Sequence, residues 1–408
     1  MQKLTAGLVG LTATALIAAT PAHAADTVKI GLIMTYSGQF ADVATMMDNA
    51  IKLYMKQHGD TVAGKKIELI RKDSGAGGTA PDVAKRLAQE LVVRDKVDVI
   101  AGFSLTPEAL AAADVGTQAK KPMVIMNAAT AIITARSPYF VRTSSGLPQM
   151  IGTLGGWAAK NGIKQAYTMV SDYGPGIDSE AAFQTAFKQG GGEIVGSVRF
   201  PVASPDFSAF AQRVKDANPE AVFLFVPGGE QPAALGKALA ERGITPKTVK
   251  VLSSGELTND DALKARGEAA IGNISAWNYD ARHKSAMNDE FVKGMRELLG
   301  GRNPDQFAVG GYDGIHLIYE ALKKTNGNTD GDALINAMKG MAWESPRGPI
   351  SIDPETRDII QTVYLRRVEK LPDGELGNVE FDKIDNVKDP VKEKMKADGK
   401  LTPDGLAK

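Results

Sequence analysis

The chain has 408 residues, no cysteine, and 48 basic against 48 acidic side chains. Without thiols there are no disulfides, thiolate metal sites or cysteine nucleophiles, and balanced charge offers no basic excess to recruit nucleic acid or an anionic membrane. The length allows two or three domains, and a hydrophobic content of 43% supplies their cores.

The first segment reads as an export signal: a basic start at Lys3, an uncharged apolar run from Leu4 to Ala19, and the small-x-small pattern Ala22-His23-Ala24 before Ala25. The run is shorter than the roughly 20 apolar residues that span a bilayer. Residues 1–24 are therefore expected to be a cleaved signal peptide. With no cysteine to carry a lipid anchor, the expected location is the periplasm.

Apolar β-branched runs then alternate with helical patterns. Strands are predicted at Val28 to Ile33, Ile67 to Ile70, Val97 to Ala101 and Pro122 to Met126, with helices at Asp48 to Gln57, Pro81 to Arg94 and Pro107 to Lys120. The alternation resumes after residue 145. Helices are predicted at Met150 to Asn161, Asp178 to Gln189, Phe207 to Ala217 and Gln231 to Arg242. The intervening strands are Gln165 to Val170, Glu193 to Phe200, Ala221 to Val226 and Lys250 to Leu252. Such repetition defines an α/β chain with two doubly wound, mostly parallel sheets. Three further helices, at Met287 to Leu299, Gly311 to Lys323 and Asp332 to Lys339, precede a last strand at Gln361 to Val368. From about Lys383 the mixture of Lys, Asp, Gly and Pro reads as a mobile or loosely docked tail, Val391 to Ala397 included.

Catalytic signatures are missing: the sequence has no G-x-S-x-G elbow, no H-E-x-x-H, no P-loop and no EF-hand loop. Gly75 to Ala80 matches G-x-G-x-x-A, but in the second strand-helix unit, where a glycine-rich connector explains it. His58, His283 and His316 have no second ligand at metal spacing. No catalytic residue, metal or cofactor is expected.

The ends of the first lobe's strands are more informative. Gly102 to Glu108 leaves a strand and enters a helix, with Thr106 at the expected N-cap, Pro107 next and Glu108 in the first turn. Exposed N–H groups and the positive helix end suit a carboxylate; the alternative reading is that Thr106 simply caps its own helix. Ala128 and Thr130 end the next strand in the same way, and two such ends converge at the carboxyl edge of a sheet. Tyr173, after the strand Gln165 to Val170, offers an aromatic face from the other lobe or ordinary packing.

Across residues 28 to 382 the chain resembles the branched-chain amino acid binding proteins of the type I periplasmic binding fold. The likeness is carried by Val28 to Ile33 with Tyr36-Ser37-Gly38, Val99 to Gly102, Pro122 to Thr130, Tyr139 to Thr143, Asp172-Tyr173-Gly174 and Gly311-Tyr312-Asp313. The resemblance implies two lobes joined by three crossing segments, near Thr143 to Leu147, Trp277 to Asp280 and Trp343 to Pro349. Lobe one then comprises 25–144 plus 280–343, lobe two 145–279 plus 344–382, and 383–408 the tail. It also implies a non-enzymatic, monomeric capture component that closes on a small carboxylate and hands it to the membrane permease subunits of an ABC importer. Ser104, Leu105, Thr106, Ala128 and Thr130 would hold the carboxylate, Tyr36, Phe40 and Tyr173 would cover the side group, and Glu230 or Glu256 would face a ligand ammonium. Tyr36 and Phe40 would suit an apolar or aromatic ligand, and the Gly102 to Pro107 loop also resembles relatives that bind aromatic acids. An exported sensor that serves a chemoreceptor or kinase would share this cleft, whereas an exported α/β enzyme would need a nucleophile and base within reach.

Overall fold

The apolar runs become strands because their side chains are buried on both faces, as parallel sheets covered by helices require. In the computed structural model, residues 27–75, 81–203 and 206–408 are described; the leader (1–24) and residues 76–80 of the glycine-rich connector lie outside the described residues.

The first sheet comprises β1 (Thr27–Met34), β2 (Thr61–Val62), β3 (Lys65–Asp73), β4 (Val99–Gly102), β5 (Met123–Ile125) and β6 (Phe140–Arg142), in the order β2-β3-β1-β4-β5-β6. All its pairings are parallel except β2 with β3. Helices α1 (Ala41–His58), α2 (Pro81–Val93) and α3 (Thr106–Gln118) link its strands. The order reverses between β1 and β4, so a crevice opens beyond their carboxyl ends.

The second half runs α4 (Leu147–Lys160), β7 (Gln165–Ser171), α5 (Gly174–Gln189), β8 (Glu193–Phe200), α6 (Phe207–Ala217), β9 (Ala221–Phe225), α7 (Gln231–Glu241), β10 (Lys250–Ser253), α8 (Asp260–Arg266) and β11 (Ile274–Trp277). Helices α9 (Ala286–Leu298), α10 (Gln306–Lys324) and α11 (Gly331–Met338) return to the first core, where Phe291, Ile318 and Leu334 pack. The chain ends with β12 (Ala342–Ser345), β13 (Gly348–Ile352), β14 (Ile359–Lys370), β15 (Leu376–Val387) and α12 (Pro390–Ala397). The second sheet is ordered β12-β13-β14-β11-β10-β9-β7-β8, with β15 on β14. Its switch point lies between β7 and β9. No helix among the described residues is long and apolar enough to cross a membrane.

Trp277 closes β11, and Trp343 to Pro349 lies within the β12–β13 hairpin. Residues 383–408 are not a loose tail: they hold the end of β15 and α12, whose Lys392 is buried. Lys392 is an ion-pair partner of the buried Asp358, and a lysine committed to a buried partner cannot belong to a solvated segment.

Buried polar side chains tie together the segments that follow β6 and β11 and the β12–β13 turn. Arg347 in that turn pairs with Asp313 at 2.9 Å, donates to the Thr143 carbonyl after β6, and donates to Gln361 at 2.9 Å. Asn278, just after β11, donates to the same Gln361 Oε1 at 3.2 Å.

Candidate functional site

Both switch points face one small cavity, about 30 Å³, between the lobes. From the first lobe, Val43, Ser104, Leu105, Thr106, Asn127, Ala128 and Phe307 line it; from the second, Leu147, Tyr173, Pro175, Phe225, Pro227, Gly228 and Glu256. The walls are mainly apolar, with a few polar groups at opposite sides, the make-up of a small-ligand site.

The first wall starts at the end of β4. Gly102 has φ +102, and a Cβ there would lie 2.8 Å from the Ile33 carbonyl oxygen, so only glycine allows this approach. Phe103 follows at φ +62, a strained conformation for a side chain of its size, held by burial against Phe140 at 6.3 Å between rings. The reversal turns Ser104 inward, where its Oγ accepts the Thr35 N–H at 3.0 Å and its carbonyl accepts from Asn127 Nδ2 at 2.6 Å.

Leu105, not Thr106, is the N-cap of α3, and Thr106 is the first helical residue. The Thr106 hydroxyl is therefore free of capping and meets Thr130 Oγ1 at 2.9 Å, joining the two strand-end loops into one hydroxyl pair. Glu108 completes the first turn, accepting from Leu105 N at 3.2 Å and Ser74 Oγ at 2.5 Å. Burial pushes its carboxyl up to about 8, so near neutral pH it places little negative charge beside the helix terminus. The positive end of α3 stays available to an anion.

Beneath the Ala128 to Thr130 loop lies Arg142, fully buried. Its guanidinium donates to the carbonyls of Thr130 at 2.7 Å and Ala128 at 3.4 Å and pairs with Asp358 at 2.8 Å. Asp358 is also paired with Lys392 of α12, so the C-terminal helix props the ligand-facing loop from behind.

The second wall differs in kind. Tyr173 and Phe225 stack with ring centroids 6.3 Å apart, and Tyr173 also packs with Phe40, Leu105 and Val202 across the lobe boundary. Glu256 follows β10 and is 6% exposed. Its Oε2 has no hydrogen-bond partner among the described residues. Burial pushes this carboxyl up to about 7, against the opposing pull of Ser254 and Arg366. The lobes touch: a Cβ on Gly174 would stand 2.6 Å from Thr130 Oγ1, and Asp178 on α5 accepts the Ala131 N–H at 2.8 Å.

Of the residues singled out from sequence, Ser104, Leu105, Thr106, Ala128, Tyr173 and Glu256 line the cavity. Thr130 and Phe40 stand directly behind it through Thr106 and Tyr173. Tyr36 turns away: Thr35 takes the inward position on leaving β1, and the Tyr36 hydroxyl reaches Asp48 at 3.4 Å. Glu230 is exposed ahead of α7, because the turn at Gly229, φ +83, carries it past the cavity. Val43, Leu147, Phe225 and Phe307 escaped the sequence reading, since each looks like an ordinary core position of its element.

Larger cavities lie elsewhere among the described residues. One of about 570 Å³ is lined by Asp260, Asp280, Arg282 and Arg302, charges that largely pair with one another. Another, about 790 Å³, is a surface groove between α4, α5 and α12. Neither sits at a switch point, and size alone does not outweigh convergence of strand ends from both sheets.

Two doubly wound lobes facing a shared cleft at their switch points define a type I two-lobed solute-binding protein. The chain belongs to the periplasmic binding protein family, whose model matches residues 27–375, and within it to the branched-chain amino acid type. It is 41% identical over 387 residues to Leu/Ile/Val-binding protein homolog 6 of Brucella melitensis, covering 94% of this chain and 98% of that one. A solute-binding protein of an ABC transporter from Rhodopseudomonas palustris BisB5, solved with 3,4-dihydroxybenzoic acid, is 57% identical with a TM-score of 0.86, over 90% of this chain and 99% of that one. Another from R. palustris, solved with 4-hydroxybenzoate, is 40% identical with a TM-score of 0.85, over 90% and 99% of the two chains. The chain is thus a solute-binding protein of the ABC-transporter type, and its family is periplasmic.

Proposed function

We propose that this protein captures an aromatic carboxylate of the hydroxybenzoate class in the periplasm and delivers it to an ABC importer, its two lobes closing on the ligand. One observation carries the reading: an apolar cavity with a Thr106–Thr130 hydroxyl pair at the positive end of α3 on one side and aromatic rings on the other. With the lobes parted, a flat ring would lie between Leu105, Tyr173 and Phe225, and its carboxylate would find donors at Thr106. The hydroxybenzoate complexes of relatives at 40% and 57% identity support the same ligand class. Hinge closure is supported by the small cavity volume, since a ring of six carbons enters only when the lobes part. Export by the leader accords with the family's location.

A second reading, an amino acid whose ammonium meets Glu256, draws on that carboxyl's place across the cavity. Calorimetry of the mature chain with 4-hydroxybenzoate, benzoate, leucine and valine separates the two. Binding of the aromatic acids, with Thr130→Val weakening them about tenfold or more, supports the first reading. Binding of leucine or valine alone would sink it.

A further inference from the structure

The two sides of the cavity are not equivalent for an aromatic acid, and this rests on the ligand class just proposed. The ligand's carboxylate is drawn to the hydroxyl pair and helix terminus at Thr106, so the far edge of the ring faces the second lobe. There, Glu256 lines the cavity together with Tyr173, Phe225 and Pro227, and its buried Oε2 has no hydrogen-bond partner among the described residues. A buried polar atom without a partner is costly, and native proteins leave one chiefly where something else satisfies it. Water is a poor candidate for that role once a ring fills so small a volume.

We infer that Glu256 is a specificity-determining residue: its Oε2 accepts the hydrogen bond of a ring hydroxyl opposite the ligand carboxylate, so the site selects hydroxylated benzoates over unsubstituted benzoate. The carboxyl's position near 7 suits this role, because a neutral or readily neutralised acid can stand near an anionic ligand without repelling it. Selectivity follows from asymmetry. With benzoate the Glu256 oxygen stays unpaired in a dry cavity; with the hydroxylated ligand it is satisfied, and a site built to pair with a hydroxyl discriminates strongly against the analogue lacking it. Tyr173 and Phe225 fix the ring plane, which brings the hydroxyl to one spot on the second wall.

The test is a calorimetric comparison of 4-hydroxybenzoate, 3-hydroxybenzoate and benzoate on the wild-type mature chain and on Glu256→Gln and Glu256→Leu. Wild type is expected to favour 4-hydroxybenzoate over benzoate by at least about tenfold. Glu256→Leu is expected to erase that preference by weakening 4-hydroxybenzoate while benzoate binds as well as before or better. Glu256→Gln, close in shape, is expected to keep part of the preference and shows that the fold tolerates change here. Equal wild-type affinity for 4-hydroxybenzoate and benzoate, or a preference that survives in Glu256→Leu, overturns the role of Glu256 and leaves the aromatic ligand class standing. Failure of all three acids, with leucine binding abolished by Glu256→Gln, overturns the ligand class itself.

Discussion

The walls contributed by the two sheets share a plan, loops leaving the carboxyl ends of parallel strands at a switch point, yet they carry different chemistry. The first offers hydroxyls and a helix terminus, propped by a fully buried ionic scaffold of Arg142, Asp358 and Lys392. The second offers rings and one buried acid, with Gly174 allowing its close contact with Thr130. On the proposed binding mode, a wall that holds the charged end of the ligand and an opposing wall that inspects its far end divide affinity from selectivity, which the same strand-end plan on both sides would not suggest.

The largest effect should come from the scaffold behind the first wall. Arg142→Met strands Asp358 with Lys392 and removes the donors under Ala128 and Thr130; breaking a buried pair in this way costs about 3–5 kcal/mol, read as a lower urea midpoint. A loss below 1 kcal/mol would mean that the scaffold is not what makes the first wall rigid.

Across the boundary, Gly174→Ala inserts a methyl group toward Thr130. Forced overpacking of this kind costs about 1–3 kcal/mol, but here it falls on lobe closure, so ligand affinity should drop about tenfold or more with the unfolding midpoint unchanged. An equal loss of stability would place Gly174 in the fold and not in closure.

Glu108 sharpens the comparison through pH. Its folded pKa of about 8 lies above the ordinary 4.5, so the folded chain keeps a proton that the unfolded chain releases. Its contribution to stability is full below 4.5 and is lost as pH rises toward 8, with a slope of at most about 1.4 kcal/mol per unit. Glu256 and Asp389, raised to about 7 and about 6, act in the same direction. Denaturation of Glu108→Gln between pH 5 and 8 should show a shallower decline than wild type; an identical slope would refute the buried, protonated state.

The smallest effect belongs to Arg302, which bridges Asp42 of lobe one at 2.8 Å and Asp261 of lobe two at 3.1 Å with all three side chains well exposed. Arg302→Ala should cost only about 0.2–1 kcal/mol, and high salt should mask it.

Most strands and helices were legible because their apolar periodicity reflects which faces are buried. The regions that were not legible share a cause. In β11, the β12–β13 hairpin and β15, strand pairing and not an apolar pattern sets the structure: β11 is a short strand set against β14 far along the chain, and β15, mostly exposed, is held by main-chain pairing with β14 at residues such as Asp382 and Lys383. The same holds for Lys392, whose partner Asp358 is 34 residues away.

In the site, the sequence alone determined the strand-end loops and residue types at Ser104 to Thr106, Ala128 to Thr130 and Tyr173, since turn residues and helix-start signals are local. It could not decide orientation. One residue of cap register freed the Thr106 hydroxyl for Thr130, alternation after β1 sent Tyr36 toward Asp48, and the Gly229 turn put Glu230 in solvent while Glu256 went into the cavity. Which side chains share a cavity depends on how two sheets face each other, and that geometry is set by packing between segments hundreds of residues apart.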